Sequence, residues 1–185
     1  MAGHTGDEPT ARAGLTDAAP VVRATALGAL DRLGALGDGE LSAALSDPEP
    51  AVRRRACELA ATYGCDIAPL LEDPDASVVE MAAWSLGERQ DRDAVSALCQ
   101  VADSDGGHRD PLCREAAVAA LGAIGDDAGL PAILSALTDK PAVRRRAAVA
   151  LAAFEGPEVD AALRRCLDDR DWQVRQVAED LLATQ

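Results

Sequence analysis

Aromatic residues are nearly absent from this chain of 185 residues: Tyr63, Trp84, Phe154 and Trp172 are the whole set. Strands fill their pleated faces with aromatic and β-branched side chains, so a β-sandwich is a poor fit. Histidine is as scarce, with only His4 and His108. Two isolated imidazoles do not build a histidine-rich metal centre. Lysine is scarcer still, Lys140 standing alone among 18 basic residues. No apolar run approaches the roughly 18 residues of a membrane span. Met1 to Thr10 lacks the basic-then-apolar order of a secretory signal. The five cysteines are odd in number and show no paired spacing. Cys57, Cys99, Cys113 and Cys166 fall in helical patterns as small core residues, with Cys65 at a turn. A reducing cytoplasm is the expected setting.

The net charge is −14. Such a charge repels phosphate backbones and anionic lipid, so neither nucleic acid nor a membrane is an expected partner. What the chain has in quantity is alanine, leucine and valine. Alanine is the best helix former, and small side chains let helices approach closely. At this length folding removes roughly 70% of the extended chain's surface, enough to sustain a core without staples.

A repeat decides the fold. Val22-Arg23, Val52-Arg53, Cys113-Arg114, Val143-Arg144 and Val174-Arg175 align, with Val78-Val79 as a sixth copy. Four residues after each anchor stands Ala26, Ala56, Ala82, Ala117, Ala147 or Ala178. Eight after stands Leu30, Ala60, Leu86, Leu121, Leu151 or Leu182. Offsets 0, 4 and 8 lie on one side of a helix, so these positions predict a buried stripe. The punctuation agrees. Pro20, Pro50, Pro111 and Pro141 stand two before the anchor, in the first helical turn, where a missing N–H costs nothing. Asp75, Asp110 and Asp171 predict N-caps. Gly34, Gly64 and Gly125 predict left-handed helix ends. Shorter apolar helices are expected between, at Glu40–Leu45, Ile67–Leu71, Ala94–Val101, Leu130–Leu137 and Glu158–Leu167. The unit is a helical hairpin, repeated.

Segments such as "LSDPEPAVRRRACELAATYG" and "LTDKPAVRRRAAVALAAF" resemble HEAT repeats of the bilin-lyase-like subgroup. The resemblance implies an all-α fold, a right-handed α-solenoid of armadillo type. It covers about residues 15–185 as a domain of about six repeats, with 1–14 as an N-terminal tail or partial capping helix. It implies that the Val-Arg helix is second in each pair and lines the concave surface. It also implies a ladder in which Arg53, Arg144 and Arg175 meet loop aspartates such as Asp17, Asp47, Asp73 and Asp169. Val79 stands where Arg is expected and His108 where Asp is expected, so the ladder should be interrupted there.

Two HEAT-like enzyme types are set aside residue by residue. Deoxyhypusine hydroxylases hold two irons with His-Glu pairs, and the nearest match here is Arg114-Glu115. HEAT-like DNA glycosylases need a basic concave face, which an acidic chain does not offer. No serine lies in a Gly-x-Ser-x-Gly context. The loop "DSDGGHRD" lacks the spacing and closing Glu of an EF-hand. No catalytic residue, metal or cofactor is expected, and a fold shared with bilin lyases does not transfer their activity.

Function is therefore expected on the concave face, as a scaffold for a protein or peptide of unspecified identity. With offsets 0, 4 and 8 inward, offsets 2, 6 and 9 face outward. They assign the binding face to Arg54, Glu58, Glu80, Trp84, Gly87, Glu115, Ala119, Arg145 and Val149. Trp84, Gly87, Ala119, Gly122, Val149 and Ala152 form a small-residue trough in this reading. Two readings of Trp84 stay open, a binding anchor or a ring folded over Gly87 and Met81. Trp172 is expected to pack on the preceding pair. The alternative function is an accessory subunit or small-molecule binder, with Trp84 stacking on a planar ligand.

Overall fold

A computed structural model describes residues 7–183, so His4 lies outside the described residues. Every regular element among them is helical. In chain order these are α1 (Glu8–Gly14), α2 (Pro20–Arg32), α3 (Asp38–Leu45), α4 (Pro50–Ala60), α5 (Ala76–Glu88) and α6 (Val95–Ala102). Then follow α7 (Pro111–Ile124), α8 (Leu130–Ala136), α9 (Pro141–Ala150), α10 (Pro157–Cys166) and α11 (Trp172–Ala183). The Val-Arg helices of the repeat are α2, α4, α5, α7, α9 and α11.

The chain divides into two compact units after Ala82, a point inside α5. In the first unit α1 packs on α2, α2 on α4, and α3 on α4. In the second, α6 and α8 pack on α7, α7 on α9, α9 on α11, and α10 on α11. The expected stripe is the core. Val52, Val78, Cys113, Val143 and Val174 are buried, as are all six alanines at offset 4. Leu30, Ala60, Leu86, Leu121 and Leu151 are buried too, while Leu182 is half-buried. Each buried leucine of this kind stabilises by about 1.5–3 kcal/mol.

The helix ends follow local chemistry. Prolines 20, 50, 111 and 141 each open a helix. Asp75, Asp110 and Asp171 accept the backbone N–H groups of Ser77, Leu112 and Gln173 at 2.9, 3.0 and 3.0 Å. Gly34 and Gly125 take φ of +64°. Gly64 does not, which corrects the expectation. After α4 the carbonyls of Leu59 and Ala60 accept three-residue turn bonds from Thr62 and Tyr63, so no left-handed residue is needed. At the end of α5 Gln90 takes the left-handed position, with φ of +50°. The predicted helix at Ile67–Leu71 is a short 3₁₀ segment, Ala68–Glu72, which ends at Asp73 because the residue before Pro74 is pushed to extended backbone (ψ 139°).

The ladder is present within each unit. Arg23, Arg53, Arg114 and Arg144 each donate Nε and Nη2 to both carboxylate oxygens of the aspartate one repeat on, at 2.6–3.0 Å. Those partners are Asp47, Asp73, Asp139 and Asp169. The remaining Nη1 donates to a backbone carbonyl five or six residues earlier, at 2.7–3.0 Å. Val79 is buried and apolar in the arginine position. His108 stands in the aspartate position and copies only the turn, its Nδ1 accepting the Asp110 N–H at 3.1 Å. Arg175 departs from expectation. It donates to the Asp169 carbonyl at 2.7 Å and meets no carboxylate among the described residues, because no repeat follows within them.

Candidate functional site

A straight helix turns 100° per residue, so the side of each second helix away from offsets 0, 4 and 8 spans several offsets. In the first unit this side presents exposed Arg54, exposed Glu80 and half-buried Glu58. Glu58 accepts from Arg55 at 2.7 Å, one turn back on α4.

In the second unit Trp84 is 44% exposed and Val149 is 48% exposed. Ala119 is half-buried. Glu115 pairs with Arg146 at 3.3 Å, tying α7 to α9. Arg145 pairs with Asp171 at 3.4 Å and donates to the Pro141 carbonyl at 3.2 Å and to Gln173. These are partly solvated pairs, each worth about 0–1 kcal/mol.

Gly87 is placed differently from the trough reading. It is buried, and a Cβ there would lie 2.8 Å from the Ala120 Cα. A Cβ on Gly122 would lie 2.7 Å from the Ala150 Cβ. These two glycines permit the close approach of the next helix, whereas Ala152, also at offset 9, is exposed. A shallow depression of about 350 Å³ is lined by Ala119, Gly122, Val149 and Ala152 of the expected trough, together with Ala123, Arg146, Ala150 and Ala153. Trp84 is not part of its lining. Ala123 and Ala153, at offset 10, were missed by the sequence reading. Offset 10 reads Arg32, Thr62, Glu88, Ala123 and Ala153, polar or small without exception, and all five are exposed. That uniform composition was the available signal.

Trp172 is 63% exposed, which corrects the expectation that it packs on the preceding pair. It opens α11 at the first-turn position that carries proline in four other second helices, off the buried stripe. The Arg114-Glu115 pair, where a hydroxylase would carry His-Glu, is committed to ion pairs with Asp139 and Arg146. Cys57, Cys113 and Cys166 are buried. Burial pushes the Cys57 thiol up to about 12, away from nucleophilic use.

Stacked two-helix repeats of this kind, tied by an arginine–aspartate ladder, define an α-solenoid. The family model described as HEAT repeats matches residues 37–109 and 106–183, and the chain belongs to that family. Its fold is similar to the complex of CpcE and CpcF of phycocyanin lyase from Nostoc sp., at 26% identity and a TM-score of 0.67. That match covers 98% of this chain and 78% of the other. It is also similar to a designed armadillo repeat protein in complex with the peptide (KR)4, at 17% identity and a TM-score of 0.71, over 96% and 98%. Human deoxyhypusine hydroxylase is more distant, at 25% identity and a TM-score of 0.54, over 95% and 72%. No curated protein matches the chain. Among the described residues no helix is long and apolar enough to cross a membrane.

Proposed function

We propose that the chain is a non-catalytic scaffold that binds a protein or peptide along the exposed side of its second helices. The observation that carries this reading is the open depression beside exposed Val149, floored by alanine and glycine. Small residues there leave room for a segment to lie against the helices, and an exposed apolar side chain gains from being covered. Trp84 is the second apolar contact of the same unit, since Trp is enriched where binding energy concentrates. Arg54, Glu58 and Glu80 supply polar contacts in the first unit, and Glu115 and Arg145 in the second. The shallow, open form of the depression supports a peptide or helix over the alternative of an enclosed small-molecule ligand. Five cysteines with no paired spacing fit a cytoplasmic setting.

Affinity capture from native lysate tests this reading, with wild type run beside Val149→Glu. A carboxylate in the depression should release a specific polypeptide that wild type retains. Capture of the same set by both proteins contradicts it.

A further inference from the structure

Among the described residues two aspartate or arginine positions of the ladder, Asp17 and Arg175, lack their ladder partner. Asp17 holds the aspartate position of the first pair. Its carboxylate accepts the Ala19 N–H at 2.8 Å, as Asp47 does for Glu49 at 2.9 Å. No arginine donates to that carboxylate among the described residues, Arg23 meeting only the Asp17 carbonyl. Arg175 holds the arginine position of the last helix. Its Nη1 is on the Asp169 carbonyl, as in the complete rungs, while Nε and Nη2 have no carboxylate among the described residues. One incomplete rung thus lacks the group that the other offers.

The surfaces around them are also uncovered. Val22 is 38% exposed, although its counterparts in the five other second helices are buried, and Val21 beside it is 70% exposed. Leu182 on α11 is half-buried, although Leu30, Leu86, Leu121 and Leu151 at the same position of other repeats are buried. A polar outer face keeps a repeat from stacking on another, and the first pair presents Val21 and Val22 instead.

We propose that the chain associates head to tail with a second copy of itself, Arg175 of one copy completing a rung on Asp17 of the other. In that arrangement α11 of one copy covers Val21 and Val22 of the next. The interface is heterologous, pairing two different surfaces. One residue opposes it. Glu179 stands where Leu27, Cys57, Ala83, Val118 and Ala148 are buried in the other second helices. Docking leaves that carboxylate at the seam, so association is weak and depends on concentration.

Sedimentation equilibrium of the full chain over a concentration series tests the proposal. Wild type should rise above the monomer mass of 19.1 kDa. Asp17→Arg and Arg175→Asp each put like charges at the rung and should weaken association by about tenfold or more. In an equal mixture of the two variants every junction between unlike chains has matched charges, so the mixture should associate more strongly than either variant alone and return toward the wild-type mass. Glu179→Leu should tighten association. All three residues are at least partly exposed, and thermal melts of each variant confirm that it folds. A wild type that stays monomeric throughout, single variants that associate like wild type, or a mixture that fails to recover would each overturn the proposal.

Discussion

Arg144 and Asp169 meet through two parallel hydrogen bonds of 3.0 Å, and the same guanidinium donates to the Asp139 carbonyl. One side chain thereby fixes the loop before its own helix and the loop of the following repeat. Removing one partner of a buried bidentate pair leaves the other desolvated and unpaired. Arg144→Ala should lower stability by about 2–4 kcal/mol. Arg145→Ala, next along the helix but partly solvated, should cost about 0–1 kcal/mol. Urea unfolding of both variants measures the difference, and equal losses would contradict the ladder's role.

The ladder also sets an acid limit. The bidentate arginines hold the Asp47, Asp139 and Asp169 carboxyls below the usual carboxylate range, against a smaller opposing effect of burial. Unfolded aspartates titrate near about 3.9. Below that value the unfolded chain binds more protons than the folded one, so stability falls as pH falls through the depressed folded values. Above it the contribution is fully present. The urea midpoint should be flat in this respect from pH 7 to 5 and decline below about pH 4. Asp139→Asn should make the decline shallower.

Close approach of helices makes a third test. Gly122→Ala forces a methyl against Ala150 and should cost about 1–3 kcal/mol. Gly39→Ala, on the exposed side of α3 with nothing near its added Cβ, should gain up to about 1 kcal/mol from helix propensity. Thermal melts that rank the two in the opposite order would contradict the packing.

The repeat, the core stripe, the caps and most of the ladder were legible because each depends on a local pattern that recurs six times. The errors lie where one turn departs from the pattern. Gly64 was expected to end α4 left-handed, yet two backbone turn bonds end it, and composition does not distinguish the two solutions. Gln90 adopts the left-handed conformation although its side chain gives no hint of it. Gly87 is the misplaced member of the trough, because an ideal helical wheel carries no information about how neighbouring helices are rotated. A wheel centred on offset 10 would have found Ala123 and Ala153. Trp172 is expected to pack because it opens the last helix, yet that first-turn position lies off the buried stripe and leaves it exposed.

Binding through the second-helix face is tested most directly by Trp84→Ala, read for binding and folding on the same preparation. Its ring is 44% exposed, so truncation should lower unfolding stability by less than about 1.5 kcal/mol. If the indole is a binding anchor, the loss of about 2 kcal/mol at the interface weakens affinity for a captured partner about thirtyfold. That pair of results is the prediction. A fall in stability of several kcal/mol with capture unchanged would contradict it, and would make Trp84 a packing residue.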